Sequence, residues 1–312
     1  MINISRNNLQ FVWGCDPSLQ LELGWIFSLL KPARQVSLFH NEHFNSNRLH
    51  NVLIESGLPR LQRSLSLEMV AELKNQRIQR LHTLAKAGSF GIIHLSDEEG
   101  LDGDDLYPLL PEGTVVWRNF AYSRFKHFKE CRIFPIGPRL EFIDSSLSHL
   151  SAVPASKRSF PWGFMGTLWS TGSRFLATSM FLRSLPQGFF HGSRGFSQGL
   201  PLAVYQQQLL RCSFALCPEG DRHLDTFRLY ESLESGCIPL LVDQRQMASS
   251  IIGFNSPIPV FRQWNDALDW AQYLISKPQY MDKIQSSIQF WWQQKRLHLA
   301  NTMLHTFTRE VF

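Results

Sequence analysis

The sequence predicts an α/β protein in two halves, each a parallel sheet with covering helices. Three observations carry that expectation. Short apolar runs rich in Val, Ile, Phe and Leu alternate with longer amphipathic segments over most of the chain. The alternation breaks once, over residues 138–159, where polar residues, a proline and the basic pair Lys157 and Arg158 read as a linker. The length, 312 residues, suits two domains of ordinary size. The division expected is residues 1–145, residues 146–290, and a closing helix over 291–312.

In the first half, residues 10–13 (QFVW), 35–40, 51–55 (NVLIE), 91–96 (GIIHLS), 114–119 (TVVWRN) and 131–136 (CRIFPI) read as strands, short and rich in β-branched or aromatic residues. Residues 19–30 read as a helix, and 65–87 as a long one with a polar face and strong helix formers. The strand at 91–96 runs into an acidic loop, DEEGLDGDD, and a short helix separates the last two strands. In the second half, strands are expected at 161–167 (PWGFMGT), 189–191, 213–217 (SFALC), 237–243 (CIPLLVD) and 257–261 (PIPVF). Helices are expected at 173–185, 200–210, over DTFRLYESLES, at 246–252 and from Trp264 to the end. In DTFRLYESLES, Asp225 or Thr226 is the expected cap, Leu229 and Leu233 the buried stripe, and the following Gly236 the left-handed terminator.

Composition narrows the function. With 44% hydrophobic and 12% aromatic residues the chain is globular, which excludes long disorder. A net charge of +5 favours anionic partners such as phosphates, nucleic acid or an acidic membrane surface, without choosing among them. The five cysteines are scattered and form no CxxC pair, so neither zinc nor redox chemistry is indicated, and a reducing compartment fits them. The start, MINISRNNLQFVWGC, lacks the charged and apolar regions of a signal peptide. No run approaches the roughly 20 apolar residues of a membrane span. The expectation is a cytoplasmic protein that reaches a membrane only peripherally.

The candidate site begins where strand SFALC meets the helix DTFRLYESLES through the loop PEGDRHL. A strand, a glycine-containing loop and a helix start present free amides and the positive end of the helix dipole to an anion. Pro218 and Gly220 shape the loop, Arg222 and His223 ride on it, and Arg228 lies in the first helical turn. Arg holds two phosphate oxygens at once. Glu231, one turn on, is placed to accept two ribose hydroxyls; the plainer account of Arg228 and Glu231 is an i, i+3 ion pair.

These residues resemble the exostosin-like (family 47) glycosyltransferases and their bacterial relatives, whose C-terminal halves carry CPxG…D-T-x-R-x-x-E-x-L-x-x-G-x-I-P. Asp225, Thr226, Arg228, Glu231, Leu233, Gly236, Ile238 and Pro239 match that pattern within CPEGD and DTFRLYESLESGCIPLLV. Weaker likeness extends through residues 164–174 and 94–119, and the feel is closest to the ribitol-xylosyltransferase-type branch. The resemblance implies a GT-B fold, with two Rossmann-like domains facing each other across a cleft. It further implies a nucleotide-sugar donor bound mainly by the C-terminal domain, UDP as the nucleotide, and inversion at the anomeric carbon without a metal. In many GT-B enzymes the last helix crosses back to the first domain, and the apolar segment 291–312 suits that.

Further candidates follow from this reading. In FMGTLWSTGSR, Gly166 lets backbone approach a ligand, Thr167, Ser170 and Thr171 supply hydroxyls, and Arg174 is placed to meet donor phosphate. An inverting transfer needs a base at the acceptor hydroxyl. Asp97 or Glu98, after strand GIIHLS, is the expected base, with His94 a third choice; a solvated acidic loop is the alternative, since six carboxylates lie between Asp97 and Asp105. Arg118 and Asn119, after TVVW, would steady an anionic acceptor or donor phosphates, while His40, Asn41 and His43 read more simply as loop. The acidic cluster lacks an ordered cation-binding spacing, and no metal site is expected. The acceptor class is a glycan, a polyol-phosphate polymer or a lipid-linked sugar. The rivals are a GT-B transferase with a GDP or ADP donor (fucosyl or heptosyl type), and a non-catalytic basic module for an anionic polymer. No basic-aromatic nucleic-acid motif is present.

Overall fold

The computed structural model describes residues 9–39, 50–57, 66–128, 130–139, 142, 153–169, 172–195, 198–220 and 222–308. His40, Asn41, His43, Ser170, Thr171, Asp221 and much of the expected linker lie outside the described residues. Internal contacts divide the chain into two units, Met1–Pro135 with Arg296–Phe312, and Ile136–Lys295. The division falls ten residues before the expected boundary at 145, and the second break lies inside the last helix after Lys295.

The first unit is a six-stranded parallel sheet in the order β2-β1-β3-β4-β5-β6. Its strands are β1 (Leu9–Trp13), β2 (Arg34–Ser37), β3 (His50–Ser56), β4 (Phe90–Leu95), β5 (Val116–Arg118) and β6 (Cys131–Ile133). β1 and β4 are buried at every position, as strands of a parallel sheet covered on both faces must be. Helices α1 (Leu23–Leu30), α2 (Leu67–Ala87) and α3 (Leu101–Leu106) accompany them. α2 starts where Ser66 accepts a hydrogen bond from the Met69 amide at 3.2 Å. α3 lies inside the segment expected to be an acidic loop.

The second unit holds β7 (Phe160–Thr167), β8 (Phe189–Ser193), β9 (Cys212–Leu216), β10 (Ile238–Val242) and β11 (Val260–Phe261), parallel in the order β11-β10-β9-β7-β8. Its helices are α4 (Ser173–Ser184), α5 (Leu202–Leu210), α6 (Phe227–Glu234), α7 (Ala248–Ile252), α8 (Trp264–Ile275) and most of α9 (Pro278–Phe307). α6 stops as expected. Gly236 takes φ 67°, the Gly236 amide donates to Leu233 O at 3.1 Å, and the Cys237 amide to Ser232 O at 2.9 Å. The end of α9 belongs to the first unit. There Thr306 Oγ1 accepts from Trp117 Nε1 at 2.9 Å, and the Phe307 ring fills space that only a glycine at position 91 leaves open.

Both sheets reverse their order once. The chain leaves β1 for β2 on one side and returns to β3 on the other; β7 stands in the same relation to β8 and β9. At such a reversal the loops leaving the carboxyl ends of neighbouring strands diverge and open a crevice for a ligand. The segments that matter are therefore those after β1 and β3, and those after β7 and β9. Among the described residues, no helix is long and apolar enough to cross a membrane.

Candidate functional site

The β9–α6 segment sits at the second unit's reversal point. Gly220 closes a tight turn, its amide donating to His223 O at 2.7 Å, and buried His223 Nδ1 accepts from the Asp225 amide at 3.1 Å. Asp225 is not the helix cap. Its Oδ2 accepts from the Ile136 amide at 3.3 Å and its Oδ1 from the Tyr230 hydroxyl, so it braces the chain entering the unit. Thr226 occupies the capping position, with φ −134° and ψ 146°, yet its side chain makes no capping bond, and its Oγ1 is buried without a partner. The first turn of α6 is left uncapped.

Arg228 stands in that turn. Its guanidinium lies 4.5 Å from the centre of the Phe164 ring, and Nη2 donates to Met165 O at 3.3 Å. Its Nε is buried with no acceptor, and no carboxylate of the described residues pairs with it. The plainer alternative, an i, i+3 pair with Glu231, does not form. At Gly166, φ is 148° and a Cβ would lie 2.4 Å from Arg228 Nη2, so the close approach of β7 to this arginine requires glycine. An unpaired arginine, an orphaned hydroxyl and uncapped amides converge on one helix start, and an anion satisfies all three.

Four further residues expected to bind donor, Glu231, Arg174, Pro218 and Arg222, have these surroundings. Glu231 is buried at 2% exposure, with Oε1 accepting from Arg139 Nε and Oε2 from the Tyr205 hydroxyl, both at 2.6 Å. A ribose would have to share or displace those donors. Burial, then the Glu231 charge, pushes the Tyr205 hydroxyl well above its ordinary range, so it stays a donor. Arg174 donates to Thr167 O at 2.9 Å and to Glu219 O at 3.3 Å, beneath the Trp169 ring. It ties the β7–α4 loop to the β9–α6 loop rather than reaching outward. Pro218 is buried, Arg222 is exposed, and the Arg222 carbonyl accepts from Arg245 Nη1 at 3.0 Å. Burial also raises the Cys217 thiol to about 12, which leaves it an inert packing group.

In the first unit the acidic segment is structural to a degree the sequence did not suggest. Asp97 accepts from the amides of Asp102 and Gly103, at 3.1 and 2.9 Å, and so caps α3. Its Oδ2 also lies 3.2 Å from Arg118 Nη2. Arg118, fully buried, further donates to the carbonyls of Asp97, Asn119 and Phe120 and to Tyr107, and lies against the Phe125 ring. It fastens the strand ends together. His94 Nδ1 is 2.9 Å from Tyr107 Oη and Nε2 is 2.8 Å from Asp102 Oδ2. Asp102 in turn accepts from Arg77 at 2.8 Å, and Arg77 and Arg80 flank Glu55. A carboxylate that takes the Arg77 proton bond accepts from His94 as well, so Nε2 carries the imidazole proton and Nδ1 accepts from Tyr107. Burial opposes the Asp102 charge, but the His94 hydrogen bond and the Arg77 charge overcome it and hold the carboxyl well below its usual range.

The other carboxylates are dispersed. Asp104 pairs with Arg124 at 3.1 Å and Asp105 with Lys74 at 2.6 Å, both near the surface. Among the described residues, no three His, Cys, Asp or Glu side chains gather as a cation site would need. Glu98 is half-buried in the β4–α3 loop, where its carbonyl accepts from the Tyr122 hydroxyl. Asn119 is buried, with Nδ2 3.4 Å from Phe134 O and Oδ1 without a partner. Sequence reasoning missed Phe164, Arg139 and Tyr205 around α6, and Glu22 in the β1–α1 segment. Phe164 opens FMGTLWSTGSR without having drawn notice there, the others lie in no motif, and only the strand order brings Glu22 to a reversal point. A groove of about 270 Å³, lined by His50, Gly88, Phe90 and Phe307 among others, opens at the amino ends of β3 and β4, the edge opposite the first unit's candidates.

The sequence matches no protein-family model and no curated protein. Among solved structures, the crystal structure of an alpha1,3-fucosyltransferase is similar over 100% of this chain and 95% of that chain, with a TM-score of 0.50 and 11% identity. At that identity the likeness is one of fold, and it agrees with the class read from the sequence: an α/β protein of GT-B type with two Rossmann-like units.

Proposed function

We propose that this protein is an inverting, metal-independent glycosyltransferase. It moves a sugar from a nucleotide-diphosphate sugar, UDP-linked by the motif resemblance, to a hydroxyl of a glycan, polyol-phosphate or lipid-linked acceptor. The observation that carries the reading is the start of α6, where Arg228 has no carboxylate partner and Thr226 Oγ1 no donor or acceptor. A buried polar group without a partner costs about 1–3 kcal/mol, so a fold that keeps two of them on one helix start is built for something that binds there. A diphosphate fits. Its oxygens take the Arg228 N–H groups, the Thr226 hydroxyl and the free amides, and the same groups stabilise the charge that grows on the leaving diphosphate. The fold likeness to a fucosyltransferase supports sugar transfer in general and keeps a GDP donor as the rival to UDP.

The test is thermal stability with UDP, GDP, ADP and CMP, each with and without EDTA, beside Arg228→Ala. A nucleotide at 100 times its dissociation constant adds about 2.7 kcal/mol. One nucleotide should raise the melting temperature regardless of chelator, and Arg228→Ala should abolish the rise while melting near wild type. No shift with any nucleotide refutes the reading and leaves an anionic polymer as the ligand to try. A shift that EDTA removes refutes the metal-free mechanism alone.

A further inference from the structure

Among its described residues, the first unit buries four carboxylates around the carboxyl ends of β1, β3 and β4: Glu22, Glu55, Asp97 and Asp102. Three have strong partners. Glu55 is held by Arg77 and Arg80, Asp102 by Arg77 and His94, and Asp97 by Arg118 and two amides. Glu22 has none of that kind. It is 3% exposed, stands just ahead of α1, and its side chain meets one donor from another residue, the Ser96 hydroxyl, at a long 3.4 Å. No arginine, lysine or histidine of the described residues pairs with it.

The placement is specific. Glu22 comes from the segment after β1, at the reversal point of the sheet, and reaches across β3 to the end of β4. Ser96 is held there in the left-handed region, with φ 58°, an uncommon conformation for a serine, and is itself exposed. The carboxylate thus lies beneath a surface hydroxyl, the one chemical group an acceptor sugar would present in its place. The titratable neighbour is Cys15, whose thiol is driven up by burial and by the Glu55 charge ahead of the Glu22 charge. Burial pushes the Glu22 carboxyl up to about 7, and no charged neighbour offsets it. That suits a group that must take a proton near neutral pH.

We infer that Glu22 is the catalytic base, taking the proton of the acceptor hydroxyl where Ser96 now donates. The inference rests on the transferase reading above. In the step, the acceptor O–H proton passes to Glu22 and the acceptor oxygen bonds to the anomeric carbon. The bond from that carbon to the diphosphate oxygen breaks, and its electron pair leaves with the nucleoside diphosphate. Asp97, which the sequence favoured, has both oxygens committed to α3 and Arg118.

The experiment measures nucleotide release from UDP-glucose, UDP-xylose, GDP-fucose and ADP-heptose, with methyl glycosides and ribitol phosphate as acceptors, for wild type, Glu22→Gln, Glu22→Asp and Glu98→Gln. Nucleotide thermal shifts are recorded on the same samples. Glu22→Gln should keep the nucleotide shift and lose about 10²–10⁴-fold in turnover, the usual contribution of a general base. Wild-type turnover should rise with pH through about 7. Glu22→Asp should recover part of the rate with a displaced limb, which a merely structural carboxylate would not do. Glu22→Gln turnover within threefold of wild type, or a limb that disappears in Glu98→Gln instead, overturns the inference and leaves the donor site standing. Wild type that binds no nucleotide and turns over no donor overturns both.

Discussion

Arg228 and Glu22 carry opposite charges, and each lacks the partner that protein interiors normally supply. Their consequences for stability differ. The Glu22 carboxyl titrates near 7 in the folded protein and in the ordinary carboxylate range near 4.5 when unfolded. The folded state therefore binds the proton more tightly, and stability falls as pH rises from about 4.5 to 7, then levels. The expected loss is about 3 kcal/mol over that window. Glu22→Gln removes the proton exchange, so the variant should melt with wild type at pH 5 and above it at pH 8. A parallel pH dependence for both proteins in calorimetry would show that Glu22 is solvated. Asp97 belongs to a different class. Its removal strands a fully buried Arg118, a change that damages folding before it says anything about chemistry.

At the scale of elements, α6 was the most legible part of the chain. Its amphipathic stripe, its glycine stop and its position after a strand all stood in the sequence, and its terminator has the predicted geometry. Its cap did not follow the propensity rule, because Asp225 is drawn to Ile136 and Tyr230. The partner of Glu231 was hidden for a similar reason: Arg139 is 92 residues away and nothing local announces it. α3 was hidden inside an acidic loop because its cap, Asp97, acts from outside the helix. The uncapped start of α6 yields a prediction of opposed signs. Thr226→Asp supplies a capping carboxylate beside Arg228, so the free protein should melt no lower than wild type, in line with the roughly 0.5–2 kcal/mol of a good cap. The same charge should repel a diphosphate and erase the nucleotide shift. A Thr226→Asp protein that still binds nucleotide would move the anion site away from this helix.

Over the whole molecule, the two-unit α/β plan was read correctly from alternation alone, since buried parallel strands advertise themselves as short apolar runs. The order of strands was not readable, and with it the two reversal points that separate candidate loops from decorative ones. For α9 the helical pattern continues unbroken while its neighbours change, so it was the resemblance that assigned a closing segment, 291–312, to the first domain; the division falls after Lys295. Residues after Lys295 pack with the first unit through Thr306 on Trp117 and Arg296 over Trp25. Truncation after Lys295 should therefore lower the melting of the first unit's core while the nucleotide response of the second persists. Loss of that response in the truncated chain would contradict the division.

Two carboxylates of the α6 region, Asp225 and Glu231, hold Ile136 and Arg139. For anyone exchanging halves between relatives, that sets the splice site. A chimera cut at the apparent linker near residue 146 would import α6 without its own Ile136 segment and without Arg139, leaving the buried Glu231 with Tyr205 but no cation. A cut between Pro135 and Ile136 transfers the second unit together with its own latch.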